Sequence, residues 1–122
     1  MFFKKINNKI KVGRKYTLNG VECEALTISN DGDVALVREN DGNLAFVIGG
    51  SKGKNNNIVA AEVIGFTVSD TEMVEYLNTH CINLTGSLDS SVIAQIIRNK
   101  YYKIPTYLAE VIAIWYMASY GR

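Results

Sequence analysis

The chain has 122 residues, a length that predicts a single domain spanning residues 1–122. Its hydrophobic content of 48% and charged content of 20% are typical of a globular protein and exclude an intrinsically disordered one. The formal net charge is only +1, so the charge balance does not favour nucleic acid or an anionic membrane as the main partner.

Three Asx-Gly pairs punctuate the first half of the chain and predict β-hairpins. Such pairs adopt the positive φ angles that type I′ turns require, and they are Asn19-Gly20, Asp31-Gly32 and Asp41-Gly42. The segments around them favour strands at 15–18, 21–28, 33–38, 43–48 and 58–68. Alternation within 21–28 is imperfect, which predicts a bulge or a strand covered on both faces near its end. Residues 1–68 are therefore expected to form an antiparallel meander of about five strands, as an open sheet or a small open barrel.

The segment 49–57 lies before the last of these strands and predicts a mobile, weakly basic loop. It resembles a phosphate-binding loop only superficially. Ile48 occupies the place of the first required glycine, Asn55 replaces the required Ser or Thr, and a strand rather than a helix follows. These departures exclude a P-loop nucleoside triphosphatase, although Lys52 and Lys54 remain able to contact an anion.

Residues 69–122 show helical rather than strand periodicity and predict two or three helices. Ser69-Asp70-Thr71-Glu72 is typical of a capping box and starts a short helix that should end near His80. Asp89 or Ser87 is expected to cap a second helix, and Pro105 predicts a break before a third. The predicted fold class is α+β, with the sheet first and the helices after it.

The last helix, Pro105 to Tyr120, is apolar on almost every face. Only Glu110 and Ser119 are clearly polar, whereas an ordinary surface helix keeps one solvated face. A chain of 122 residues is expected to have too small an interior to bury such a helix all round. We therefore expect a homo-oligomer assembled through this helix, within a helical oligomerisation part at 69–122. The helix is too short to cross a bilayer, and it contains Glu110.

Residues able to catalyse bond cleavage are scarce, so the sequence predicts a protein that is not an enzyme. His80 is the only histidine, and Cys23 and Cys81 cannot complete a zinc site with it. Glu22 and Glu24 face one side of a strand, where they are more typical of a solvated face than of an acid–base pair. We expect no catalytic residue, no metal and no cofactor. The two cysteines are expected to be reduced structural thiols of a cytosolic protein.

Arginines are the remaining candidates for ligand binding, because the planar guanidinium suits phosphate recognition. Arg14 precedes the first hairpin, Arg38 ends the third strand, and Arg98 ends the second helix beside Tyr101 and Tyr102. Tyrosines in that position can stack on a base. Taken singly, each arginine is more typical of a solvated surface cation. Cationic and aromatic groups around a predicted oligomer interface keep a phosphate-containing ligand open as a hypothesis.

A β-meander followed by a short helix and an apolar helical pair resembles the first type of phage anti-Thoeris protein, a viral sponge for cyclic nucleotide signals. The resemblance covers most of the chain and implies homo-oligomers built through C-terminal helices. It also implies binding, without cleavage, of cyclic ADP-ribose isomers made by bacterial TIR-domain proteins, and in related members of cyclic oligonucleotides. The implied location is the cytoplasm of a host bacterium.

The resemblance also implies a set of ligand-binding residues. The family's pocket uses an arginine near the start of the sheet, an aromatic residue and an asparagine in the middle, and an arginine on the C-terminal helices. By order and spacing, Arg14, Phe66, Asn78 and Arg98 would occupy these places. Two positions have alternatives, Asn83 for the asparagine and Tyr101 for the aromatic residue.

Two other classes of protein stay open at this stage. One is a homo-oligomeric interaction protein or phage inhibitor that acts by protein–protein contact, in which Tyr101, Tyr102 and Trp115 would touch a protein. The other is a small nucleic-acid-binding barrel with a basic arm between Lys4 and Lys15, which the near-neutral net charge makes the weaker alternative.

Overall fold

The protein is described by a computed structural model that covers residues 10–81 and 89–120. Within these ranges seven strands precede three α-helices, which confirms the predicted α+β class. The strands are β1 (Lys15–Leu18), β2 (Val21–Ile28), β3 (Val34–Glu39), β4 (Asn43–Ile48), β5 (Ser51–Lys52), β6 (Asn57–Val59) and β7 (Glu62–Ser69). The helices are α1 (Asp70–Cys81), α2 (Ser90–Lys100) and α3 (Thr106–Tyr120). The chain divides into two compact units, Met1–Asp70 and Thr71–Arg122, within two residues of the boundary expected at 68/69.

The first three strand connections are hairpin turns at the predicted places, but they are not all of one turn type. Asn19 and Gly20 both have positive φ (53° and 81°), as a type I′ turn between β1 and β2 requires. In the next two connections only Gly32 and Gly42 have positive φ, and an aspartate precedes each of these glycines. Asp41 Oδ1 accepts from the backbone N–H of Asn43 at 2.9 Å, so it forms a local Asx turn instead. The I′ prediction is therefore correct for the first pair and wrong for the other two.

The predicted bulge in β2 is confirmed, because the pairing of β2 with β3 shifts register between Ala25 and Thr27. Two other strand predictions are wrong. The segment expected to be a loop at 49–57 contains β5 and the first residue of β6, and the long strand expected at 58–68 is divided by Ala60 and Ala61 into β6 and β7. The described sheet therefore has seven strands rather than about five.

This division sends the two halves of the expected strand to opposite ends of the sheet, whose order is β5-β6-β1-β2-β3-β4-β7. β6 pairs in parallel with β1, whereas β7 pairs antiparallel with β4. Only Ala60 and Ala61 join β6 to β7, and so short a link spans at most about 11 Å. The open sheet must therefore curl strongly enough to bring its β1 and β4 sides close together.

One face of the curled sheet carries the core of the first unit. Alternate residues of the strands meet there with Ile10, and all of them are at least nine-tenths buried. The cluster consists of Ile10, Tyr16, Leu18, Cys23, Ala25, Ala35, Val37, Ala45, Val47 and Ile58. Gly50 makes room for this cluster, because a Cβ there would lie 2.8 Å from a Val47 methyl group. The opposite face carries Phe46, which stacks on Phe66 with 5.4 Å between ring centroids.

The helices begin and end close to the predicted residues. α1 begins directly after Ser69 and ends at Cys81. The cap of α2 is Asp89, whose Oδ1 accepts from the backbone N–H of Val92 at 3.0 Å. A turn separates α2 from α3 at the predicted break, and the carbonyl of Pro105 accepts the first backbone hydrogen bonds of α3. α2 and α3 pack against each other. None of the described helices is both long and apolar enough to span a membrane.

The burial of α3 removes the reason given above for expecting an oligomer. Seven of its side chains are buried within the single chain, and Leu108, Ile112 and Ala113 have no exposed surface. The premise that 122 residues could not cover this helix is thus wrong. What α3 leaves accessible is a narrower set of positions, with Tyr107 and Tyr120 about half exposed and Ile114 and Met117 half-buried. Oligomerisation through α3 stays a prediction.

Candidate functional site

A polar groove of about 230 Å³ lies between α2 and α3. Its α2 wall consists of Ser91, Gln95, Arg98 and Asn99, with buried Ala94 at its base. The turn after α2 contributes Tyr102, and α3 contributes Thr106 and Glu110. Polar residues four apart on each helix project on the same side, which explains why two helices that pack by their apolar faces leave a polar channel at the surface.

Arg98 is held in place at this groove by the turn that follows α2. Its Nε donates to the carbonyl oxygen of Ile104 at 2.8 Å, and its Nη2 donates to the carbonyl oxygen of Tyr102 at 3.4 Å. Within residues 10–81 and 89–120, its Nη1 donates to no other group. A side chain fixed by two backbone carbonyls loses less conformational entropy when it binds an anion. Arg98 is therefore both a brace for the turn and a pre-positioned cation.

Glu110 is the second charged residue among the groove-lining residues of the described chain. The side chain is half-buried, and its carboxylate forms no hydrogen bond or ion pair with any residue in the described ranges. Arg98 and Glu110 thus line the same groove without neutralising each other. The groove presents one cation and one hydrogen-bond-accepting anion, with amide and hydroxyl groups between them.

The other predicted residues of the helical unit do not line this groove. The Asn78 Oδ1 accepts a hydrogen bond of 2.6 Å from the Tyr116 hydroxyl, which ties α1 to α3. The ring of Tyr101 packs edge-on against Tyr76 at 5.7 Å, and Lys100 lies over both rings. The Tyr101 hydroxyl is buried and has no hydrogen-bond partner among the described residues. Both residues therefore have structural contacts in the helical unit.

Two predicted residues belong to the sheet unit. Arg14 is exposed, and its backbone carbonyl accepts from the N–H of Ala25 at 3.0 Å. Phe66 is half-buried against Phe46. Asn83 lies outside the described residues. Of the five predicted ligand residues that the structure describes, Arg98 is the one that lines the groove.

Arg38 has a different role from the other arginines. Its Nη1 bonds Asp70 Oδ2 at 2.7 Å and its Nη2 bonds Glu24 Oε1 at 2.6 Å. The hydrogen bond that Arg38 donates to Asp70 contributes most to raising the pKa of Arg38 above its ordinary value. With its guanidinium divided between two carboxylates, Arg38 links β2 and β3 to the first residue of α1. An Arg38 variant is therefore a poor control for ligand binding, because it would remove a structural contact from both Glu24 and Asp70.

Of the residues considered for catalysis, the histidine contacts its own helix and the two cysteines are buried. His80 is exposed, and its Nδ1 lies 2.8 Å from the carbonyl oxygen of Tyr76 on the same helix. Burial, followed in effect by the charges of Glu39 and Glu22, raises the pKa of the Cys23 thiol to about 11. Burial also raises the pKa of Cys81. In the described ranges no three His, Cys, Asp or Glu side chains come together as a metal site would require.

The sequence did not single out Gln95, Asn99, Thr106 or Glu110 as members of a site. Their spacing of four residues along each helix was a usable signal, since it places Gln95 and Asn99 on one side of α2 with Ser91. That pattern is equally typical of a solvated helix face. Comparisons with known protein families, with curated proteins and with solved structures found no match to this chain.

Proposed function

We propose that this protein binds a cyclic nucleotide signal and sequesters it without cleaving it. In this proposal the ligand is a cyclic ADP-ribose isomer or a cyclic oligonucleotide. The protein is a phage counter-defence factor that blocks Thoeris-type immunity in the host bacterial cytoplasm. The observation that carries the proposal is the α2–α3 groove, in which the braced guanidinium of Arg98 adjoins amide, hydroxyl and aromatic side chains. A phosphate, a base edge and a base face each find a chemically suitable partner among them.

The size of the groove limits how much of the ligand it holds. Pockets that enclose a whole drug-sized ligand usually have volumes of about 300–1,000 Å³, and this groove has about 230 Å³. It suits one nucleotide unit of a cyclic ligand. By the family resemblance, Arg14 is the second proposed phosphate ligand and Phe66 stacks on adenine, both outside this groove. The resemblance also implies that Asn83 reads the polar edge of the base, whereas Asn78 and Tyr101 already have structural contacts.

Isothermal titration calorimetry with cyclic ADP-ribose isomers tests the proposal. A charge-assisted hydrogen bond contributes about 1.5–3 kcal/mol, so Arg98→Ala should weaken binding roughly 10- to 150-fold. Lys103→Ala is the matched control, since it removes one positive charge from the same turn at an exposed residue that does not line the groove. It should bind nearly as the unaltered protein does.

Loss of the turn brace is a second effect of Arg98→Ala, so a variant that keeps the brace is needed. Asn99→Asp leaves Arg98 and its carbonyl partners in place and adds a negative charge to the groove. This variant should bind an anionic ligand more weakly, while its melting temperature stays close to that of the unaltered protein. Undiminished affinity in Arg98→Ala, Asn99→Asp and Arg14→Ala would contradict the proposed site, and no binding of any cyclic nucleotide would contradict the function.

The exposed tyrosines of the helical unit favour one second candidate, a protein that acts by protein–protein contact. Tyr102 is 69% exposed and Tyr107 is 56% exposed, and accessible tyrosines are enriched at protein interfaces. Tyr107→Ser separates the candidates, because Tyr107 does not line the groove. Loss of counter-defence activity with unchanged ligand affinity would favour the contact mechanism.

A further inference from the structure

Glu110 is an unexpected residue in a site proposed for a phosphorylated ligand. Phosphate oxygens only accept hydrogen bonds, and an ionised carboxylate does the same. A phosphate beside Glu110 would therefore meet like charge and no donor. Glu110 is half-buried, and its carboxylate has no partner in the described ranges, although Arg98 lines the same groove. A ligand that fills the groove must bring its own donors to this wall.

A nucleotide has two kinds of donor, the ribose hydroxyls and the amino group of the base. The amide side chains of Gln95 and Asn99 offer both donors and acceptors to a base edge, so the base has suitable partners on the α2 wall. Glu110 stands on the opposite wall, on α3. A carboxylate accepts from vicinal hydroxyls through its two oxygens, as acidic residues do for ribose in dinucleotide-binding folds.

Resting on the proposed function, we propose that Glu110 is the specificity-determining residue of the groove and accepts hydrogen bonds from the vicinal hydroxyls of a ribose. Arg98 then contacts the single phosphate attached to that ribose. The groove selects a nucleoside monophosphate unit within a larger cyclic ligand. In this arrangement the phosphate lies on the Arg98 side of the groove and away from Glu110.

A double-mutant cycle between protein and ligand tests this contact. The probes are adenosine 5′-monophosphate and its 2′,3′-dideoxy counterpart, and the proteins are the unaltered chain and Glu110→Gln. Because hydrogen bonds to a charged group are among the stronger ones, removing the hydroxyls should weaken binding to the unaltered chain at least about 10-fold. The same removal should cost Glu110→Gln less than about 3-fold. Glu110→Gln should also bind inorganic pyrophosphate more tightly, since a like charge has been removed.

Glu75→Gln neutralises an exposed glutamate of α1 that does not line the groove, and it should preserve the full effect of the hydroxyls. An equal cost of hydroxyl removal in the unaltered chain and in Glu110→Gln, or no binding of adenosine monophosphate, would overturn the assignment. The cycle could show no coupling while the binding of cyclic ADP-ribose still depends on Arg98. That result would leave the proposed function standing and remove only the role of Glu110.

Discussion

At the scale of single residues, several polar side chains that could contact a ligand instead make contacts that fix the structure. Arg38 joins two carboxylates, Asn78 accepts from Tyr116, and Asp89 caps α2. A residue type that suits ligand chemistry is equally suited to these roles. Arg98 differs because two carbonyls hold the guanidinium and still leave Nη1 with no partner in the part of the chain that the structure describes.

Asp89 gives a pH-dependent prediction. The Ser91 hydroxyl and then the Val92 N–H lower the pKa of Asp89 below its ordinary value of 3.8. A carboxyl whose pKa is depressed in the folded state adds stability above its unfolded pKa and loses it as the pH falls through the folded pKa. Asp89→Asn keeps an oxygen acceptor but does not titrate. The unaltered chain should therefore be the more stable of the two at pH 7, and the difference should shrink as the pH falls below 3.8 and through the folded-state pKa.

Urea unfolding of both proteins at a series of pH values measures this difference directly. Other carboxylates titrate in the same range, but they do so in both proteins and cancel in the comparison. A stability difference that stays constant from pH 7 to pH 2.5 would contradict the proposed role of the charged cap.

At the scale of elements, the features that depend on a few neighbouring residues were predicted correctly. Asn19-Gly20 forms the predicted turn, and the predicted break before α3 lies at Pro105. Residues 58–68 looked like one strand because the apolar run contains no turn residue at Ala60-Ala61. What divides it is the pairing of β6 with β1, a contact about forty positions away in the sequence that no local pattern encodes. The same holds for the groove, whose two walls come from different helices.

Substitutions on the buried side of α3 should affect folding, whereas substitutions on its exposed side should affect oligomerisation. Ile112 has no exposed surface, so Ile112→Ala should lower the free energy of unfolding by about 2–5 kcal/mol, and Ile112→Asp should prevent folding. Neither change can report on an interface. Tyr107, which is 56% exposed, and half-buried Ile114 can. If α3 joins two copies, the chain should sediment as at least a dimer at micromolar concentration.

Tyr107→Asp combined with Ile114→Asp should then yield a folded monomer. Circular dichroism confirms that the variant is folded, and sedimentation measures its mass. A monomeric, folded wild-type chain at high concentration would end the oligomer prediction, because the burial of α3 within one chain already accounts for its apolar sequence.

At the scale of the whole molecule, two compact units carry different features, the curled sheet in one and the groove in the other. The proposed activity requires binding alone. We therefore predict that a bound cyclic nucleotide is recovered intact when the complex is heated until the protein denatures. Mass spectrometry of the released ligand measures this. A hydrolysed or ring-opened product, formed by the unaltered protein but not by Arg98→Ala, would identify an enzyme instead.

The two-residue link at Ala60 and Ala61 also has a consequence for how the chain folds. β1 to β4 form by successive hairpins between near neighbours, which is fast. β6 reaches β1 only after those hairpins exist and have curved, because its partner lies at the other end of the sheet. Once β6 docks, the short tether delivers β7 to β4 at high effective concentration. We expect the last step of sheet assembly to be a single coupled event, and a flexible insertion at Ala60-Ala61 to separate it into two refolding phases.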